Sequence, residues 1–401
     1  MSLLAGIRVL DLSLQLPGPF CTLIMADHGA DVIKVDEPDP RVRNPFAGRE
    51  PGMSPMDRYL NRGKRSLTLN LKTDEGRAVF HALAERADVV VEGFRPGVVR
   101  RLGVDYEALS AINPRLVYCS ISGYGQTGPL RETAGHDINY IARAGILGLC
   151  GGRGGDPAIP PVQIGDLFGG AMMALSGILM ALLARQRSGT GRWVDVSMTD
   201  GAAAMLAIHS AIHLATGEIP ERGNMMLTGR FPCYGVYRCG DGKHVCLGAL
   251  EPWFWERLVT ALEREDLRGG QVADGEEGDR VRRELGAIFA TRSRDEWVRF
   301  FEGKDVCLAP VLDLPEALAD PHLMERGMVI EVESPLGGTD RQAGNPLKFS
   351  SAGPAEAGEK PAPAPRRAPR LGEHDEEILR EIGYGPERIA RLRETGVIRV
   401  Q

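Results

Sequence analysis

Two short glycine-set motifs carry residue types suited to chemistry at a carbon centre. One is Gly135-His136-Asp137-Ile138-Asn139-Tyr140 and the other is Gly165-Asp166-Leu167-Phe168-Gly169-Gly170. Histidine titrates near neutral pH, and a carboxylate can serve as a general base or as a nucleophile. Flanking one small carbon, His136 and Asp166 could move a proton; Asp166 alone could attack a carbonyl. A third acid, Glu251, stands in Gly248-Ala249-Leu250-Glu251-Pro252-Trp253-Phe254-Trp255. Each also has a plain structural reading. His136 can be a hydrogen-bonding loop residue, Asp166 can cap or open a helix, and Glu251 before a proline can open one too.

Positive charge gathers in two places. Asn61-Arg62-Gly63-Lys64-Arg65-Ser66 precedes a strand. It reads either as a solvated loop or as a phosphate contact, because Gly63 admits close backbone approach while Arg62, Lys64 and Arg65 supply charge. Phe94-Arg95-Pro96-Gly97 follows a buried strand, so Arg95 is expected at a strand's C-terminal end, where open α/β sheets bind ligands. Gly123-Tyr124-Gly125-Gln126-Thr127-Gly128 fits GxGxxG, but Pro129 follows at once where a dinucleotide site needs a helix. A glycine-rich active-site loop is expected instead. The absence of GxxxxGK[ST], HExxH, GxSxG and CxxC patterns excludes P-loop kinase, zincin, α/β-hydrolase, zinc-ribbon and thioredoxin readings. None of the familiar metal-ligand spacings is present, so no metal is expected.

The elements that must position these groups alternate strand and helix. Strands are expected at residues 7–12, 31–35, 66–71, 88–92, 116–121 and 193–198, with helices between them. This βαβ rhythm predicts an α/β fold with a parallel sheet covered on both faces. A helix is expected from about Thr199 to Ala215. From Pro232 the texture changes to two strands around an Asp-Gly turn, followed by helices. The expected organisation is a large α/β domain over 1–200, a linker helix over 201–224, a small α+β domain over 225–325, and a return segment over 326–401. Within that return segment 353–369 reads as an extended linker, and the last helices are expected to dock back on the first domain.

The 401 residues suffice for two domains. A net charge of −6 argues against nucleic-acid binding. An apolar helix at about 170–183 reads as too short and too glycine-rich to span a membrane. Seven cysteines, mostly in apolar runs, are expected reduced. With no leader and no peroxisomal tripeptide recognised, a cytoplasmic protein without membrane partners is expected.

Together these motifs resemble the family III CoA-transferase (CaiB–BaiF) superfamily, and most of all its α-methylacyl-CoA racemase branch. The resemblance runs over nearly the full length. It includes residues 4–12, Pro17-Gly18-Pro19, residues 61–67, Leu69-Asn70-Leu71-Lys72, residues 94–97, residues 121–129 and Gly189-Thr190-Gly191. It implies a Rossmann-like large domain, a smaller α+β domain and an interlocked, ring-shaped homodimer. It also implies an acyl-CoA substrate, with CoA entering as part of the substrate and no separate cofactor. The positions matching the family's CoA contacts are Leu69, Asn70, Leu71, Lys72, Arg95, Gly135, Asp137, Ile138, Asn139 and Tyr140. Where the family often has an arginine before a proline, this chain has Glu37, and Arg41 or Arg43 is the candidate replacement. Racemases of the branch combine Gly-His-Asp, a later aspartate and Glu-Pro-aromatic, which maps onto His136, Asp166 and Glu251. The implied reaction is inversion at the α-carbon of a 2-methylacyl-CoA, with Glu251 holding or relaying a proton to His136. The alternative is CoA transfer through an aspartyl intermediate on Asp166.

Overall fold

The computed structural model describes residues 2–39, 53–350 and 366–399. The chain forms two compact units, one of residues 1–144, 161–205 and 321–401, the other of 145–160 and 206–320.

The first unit is built on six strands: β1 (Arg8–Asp11), β2 (Asp31–Asp36), β3 (Arg65–Thr68), β4 (Val89–Glu92), β5 (Val117–Ser122) and β6 (Trp193–Ser197). They run parallel in the order β3-β2-β1-β4-β5-β6. The order reverses between β1 and β4, which opens a crevice at the carboxyl ends of the strands. Successive strand residues point to opposite faces, and each face has its own core. Leu10, Ile33 and Val90 pack with Phe80 and Leu83 of helix Asp74–Ala84, and with Ile378 and Leu392 of helices Asp375–Glu381 and Pro386–Glu394. The final helices therefore do dock on the sheet. Val9, Val32 and Val91 pack on the other face, with Met25 of helix Pro17–Asp27 and Ile178 of a long helix.

That long helix corrects the expected apolar segment. It runs unbroken from Gly165 to Ser188, 24 residues with an 18-residue stretch of mean hydropathy 2.1, which meets the length and composition of a membrane span. Its first turns, Gly165–Met172, are wound as π-helix and the rest as α-helix. The glycines do not end it, because they are where neighbouring backbone comes close. A Cβ on Gly169 would lie 2.4 Å from the Met198 carbonyl oxygen, and one on Gly170 would lie 2.8 Å from Pro17 Cβ. One face of the helix (Ala174, Leu175, Ile178) belongs to the sheet's core.

The helix expected over Thr199 to Ala215 is two helices, Met198–Met205 and Ala207–Thr216, and the break at Leu206 coincides with the boundary between the units. In the second unit, β7 (Tyr234–Arg238), β8 (His244–Gly248) and β9 (Leu308–Val311) form an antiparallel sheet. Val245, Leu247, Trp255, Leu258, Phe289 and Trp297 make its core. A hairpin of β10 (Val329–Glu333) and β11 (Thr339–Ala343) completes the first unit. The linker expected over 353–369 lies mostly outside the described residues.

Candidate active site

The two opening motifs meet in the first unit. His136 sits at the N-cap of helix Asp137–Arg143, and its N–H donates to Asn139 Oδ1 at 3.0 Å. Its side chain is exposed. The next residue turns inward: Asp137 Oδ1 accepts the N–H of Asp166 at 3.0 Å. This bond joins the histidine motif to the first turn of the long helix. Gly165 lets the two approach, since a Cβ there would lie 3.1 Å from Asp137 Oδ1. A π-helical turn at this point is a departure of the kind that often marks functional sites.

Asp166 is half-buried, and burial pushes its carboxyl up to about 7, with the neighbouring Asp137 charge adding to the rise. It can therefore hold or release a proton near neutral pH. Free N–H groups at the N-terminus of its helix would be donors for a developing oxyanion. Two of those N–H groups are already engaged: Asp166 N–H to Asp137, and Leu167 N–H to the Gln163 carbonyl at 2.9 Å. What that helix end offers is its partial positive charge.

Tyr140 closes one side of the site. Its hydroxyl donates to the Gly135 carbonyl at 2.5 Å, and its ring meets Tyr124 edge-on with centroids 5.3 Å apart. Burial, then the Asp166 charge, push its hydroxyl up to about 12, so it stays protonated. The first glycine of the GxGxxG loop and Gly135 leave space here. A Cβ on Gly123 would lie 2.3 Å from Tyr140 Cε1, and one on Gly135 would lie 2.6 Å from the same atom. The glycines make room for an aromatic ring. Ile138 is exposed on the same helix.

Arg95 is exposed beyond β4, and its charge acts on Tyr140. The loop that carries it is held by Glu92, whose Oε2 accepts the Phe94 N–H at 2.8 Å. Burial raises the Glu92 carboxyl to about 7. Glu92 was missed in the sequence; its signal was an acid closing the apolar run Val89-Val90-Val91.

Beside Phe94 a cavity of about 460 Å³ opens at the carboxyl ends of β1 and β2. Leu69, Leu71 and Lys72 line it, together with Phe94 and Glu37. Asn70 is not part of the lining. Its Oδ1 accepts the Lys72 N–H at 3.1 Å and its own N–H donates to the Val397 carbonyl at 2.8 Å. Lys72 pairs with Glu37 at 2.5 Å. Arg41 and Arg43 lie outside the described residues.

The basic cluster is neither a solvated loop nor a set of free phosphate contacts. Arg62, Lys64 and Arg65 are 1%, 3% and 9% exposed. Arg62 pairs with Asp27 at 2.7 Å, Lys64 with Asp11 at 3.1 Å and Arg65 with Asp31 at 2.7 Å. Asp11 is the centre of a buried network missed in the sequence. Burial alone would raise its carboxyl, but Lys34, Lys64 and the hydroxyls of Ser13 and Thr22 hold it well below the usual range. Lys34, a lysine inside an apolar strand, was the available signal.

Glu251 belongs to the second unit. It is the exposed N-cap residue of helix Pro252–Ala261, and its side chain makes no capping hydrogen bond. Its charge acts on the exposed thiol of Cys307. Among the described residues no group of acids, histidines and cysteines could hold a metal ion.

A doubly wound sheet with a cavity at the carboxyl ends of its strands, and a histidine motif tied to the backbone of a half-buried acid, is the frame of an α/β enzyme. The chain belongs to CoA-transferase family III, whose profile matches residues 4–375. It is 38% identical over 396 residues to human alpha-methylacyl-CoA racemase, covering 98% of this chain and 97% of that one. It is also 37% identical over 403 residues to succinyl-CoA:mesaconate CoA-transferase of Haloarcula hispanica, covering 96% and 98%. Among solved structures, a CAIB/BAIF family protein from Brucella suis superposes with a TM-score of 0.78 at 31% identity, covering 95% of this chain and 99% of that one.

Proposed function

We propose that this acyl-CoA enzyme is a racemase or epimerase that inverts the α-carbon of 2-methylacyl-CoA thioesters. The observation that carries the reading is the fastening of the His136 motif to Asp166 through Asp137, with the Asp166 carboxyl raised to about 7. Inversion needs two groups on opposite faces of a planar intermediate. One removes the α-proton as the C–H electron pair moves toward the thioester oxygen, forming an enolate. The other delivers a proton to the opposite face of the same carbon. The two groups can exchange these roles between directions, which suits a histidine side chain and the raised Asp166 carboxyl. The positive end of the long helix favours the developing negative charge. The cavity beside Leu69, Leu71 and Lys72 suits the nucleotide part of CoA.

We also propose that the enzyme works as an interlocked homodimer. Met180 and Leu183 in the first unit, and Leu214 and Ile219 in the second, are strongly exposed apolar residues that a second copy could cover.

A second reading is favoured by the likeness to the mesaconate CoA-transferase. In it Asp166 attacks the thioester carbonyl and expels CoA as thiolate, leaving a mixed anhydride. Replacing His136 separates the two. His136→Ala should lower racemisation of a 2-methylacyl-CoA by about 10²- to 10⁴-fold, the usual weight of a general acid–base group. If racemisation is unaffected, or if the native enzyme transfers CoA to free carboxylic acids and does not racemise, the proposal fails.

A further inference from the structure

The outer edge of the parallel sheet is closed by the far end of the chain. β3 has one strand neighbour, β2. Along its other edge, the Ser66 N–H donates to His374 Nδ1 at 3.2 Å, and the Ser66 carbonyl accepts the His374 N–H at 3.1 Å. The Ser66 hydroxyl accepts the Gly372 N–H at 3.0 Å. Two residues on, Asp375 holds Thr68 twice: the Thr68 N–H donates to Oδ1 at 2.7 Å and the Thr68 hydroxyl to Oδ2 at 2.6 Å. That hydroxyl in turn accepts the Arg399 N–H at 2.9 Å. Two further on, Asn70 donates its N–H to the Val397 carbonyl at 2.8 Å.

Covering a sheet edge does not by itself require a carboxylate. Here Asp375 is 1% exposed and Thr68 fully buried, so an acid is kept inside the fold to grip one residue. That residue leads directly into Leu69, Leu71 and Lys72, which line the cavity. Leu69 and Leu71 also share a core with Ile378, Leu392 and Val397. One wall of the cavity is thus set by residues from the far end of the chain. We propose that Asp375, acting through Thr68, is a positioning residue for the segment Leu69–Lys72. The segment 372–399 then sets the affinity for the CoA moiety and leaves the chemistry at His136 and Asp166 untouched. This rests on the reading of Leu69–Lys72 as a CoA-binding segment.

The test uses the full chain and CoA itself as probe. Thr68→Val removes the hydroxyl that links the carboxylate to Arg399. Asp375→Asn keeps the shape, and it carries the test should Thr68→Val fail to fold. Each variant should raise the calorimetric Kd for CoA by about 10-fold, with kcat at saturating acyl-CoA held within about two-fold. Amide exchange should quicken at 68–72 and stay unchanged at 137–143. Lys72→Glu separates the two ideas. If it leaves the CoA affinity unchanged, the CoA-binding reading of the segment fails, and amide exchange still judges the positioning role. If it weakens CoA binding while Thr68→Val and Asp375→Asn do not, the positioning role is overturned. Exchange that quickens equally across the whole sheet would also overturn it.

Discussion

Asp137 Oδ1 accepts the backbone N–H of Asp166 at 3.0 Å. A single hydrogen bond thereby places the residue after His136 against the first turn of the helix that carries the second titratable group. The bond also sets a carboxylate near Asp166, and that charge helps hold the Asp166 carboxyl up at about 7.

Removing the charge while keeping an acceptor isolates that electrostatic part. Asp137→Asn should move the Asp166 carboxyl back toward its ordinary range. The acidic limb of kcat/KM against pH should then shift to lower pH. A profile that stays in place would show that burial alone sets the value.

Stability should show the same group from the other side. The Asp166 carboxyl is raised in the fold from 3.8 to about 7, so the folded state binds its proton more tightly than the unfolded chain does. Its contribution is therefore most favourable below about pH 4 and is lost as pH rises through about 7. Asp166→Asn should melt above the native enzyme by a few degrees (~2–4 °C) at pH 8, with the difference vanishing near pH 4. Equal melting at both pH values would contradict the burial argument.

Gly169 meets Met198 and Gly201 backbone to backbone, and a Cβ there has no flexible side chain to push aside. Gly169→Ala should destabilise the protein by about 1–3 kcal/mol, the usual cost of overpacking. It should also lower turnover, because the helix that moves is the one bearing Asp166. Urea denaturation measures the first effect and initial rates the second.

The buried network under the crevice makes a stronger demand. Asp11 faces both Lys34 and Lys64, and the side chains of the Lys64–Asp11 pair have no solvent exposure. Asp11→Asn takes the paired carboxylate from the Lys64 ammonium, while Lys34 keeps Asp36 at 3.6 Å, and should cost about 3–5 kcal/mol in urea denaturation. A loss below about 1 kcal/mol, the scale of an exposed pair, would contradict the assignment.

Much of the sheet was legible, because a strand buried on both faces reads as an apolar run. The expected strands at 7–12, 88–92 and 116–121 fall on β1, β4 and β5. The strand expected over 66–71 stops at Thr68, since Leu69 onward leaves the sheet to line a cavity. No local pattern announces that departure. The His136 and Asp166 motifs were legible because glycines set them apart. The tie between them was not, as it joins Asp137 to a backbone group in another segment. The basic cluster misled for a related reason. The acids that neutralise it, Asp11, Asp27 and Asp31, come from earlier elements, and only the fold brings them together. Glycines 169 and 170 suggested a short helix by propensity, where tertiary contact instead requires them inside a long one.

The most direct test incubates one enantiomer of a 2-methylacyl-CoA with the enzyme in D₂O. The account predicts deuterium entering at the α-carbon while optical purity falls, with no carboxylic acid acceptor needed. It would be contradicted by an α-carbon that keeps its hydrogen and its configuration while an added free acid is converted to its CoA thioester and hydroxylamine traps an adduct on Asp166.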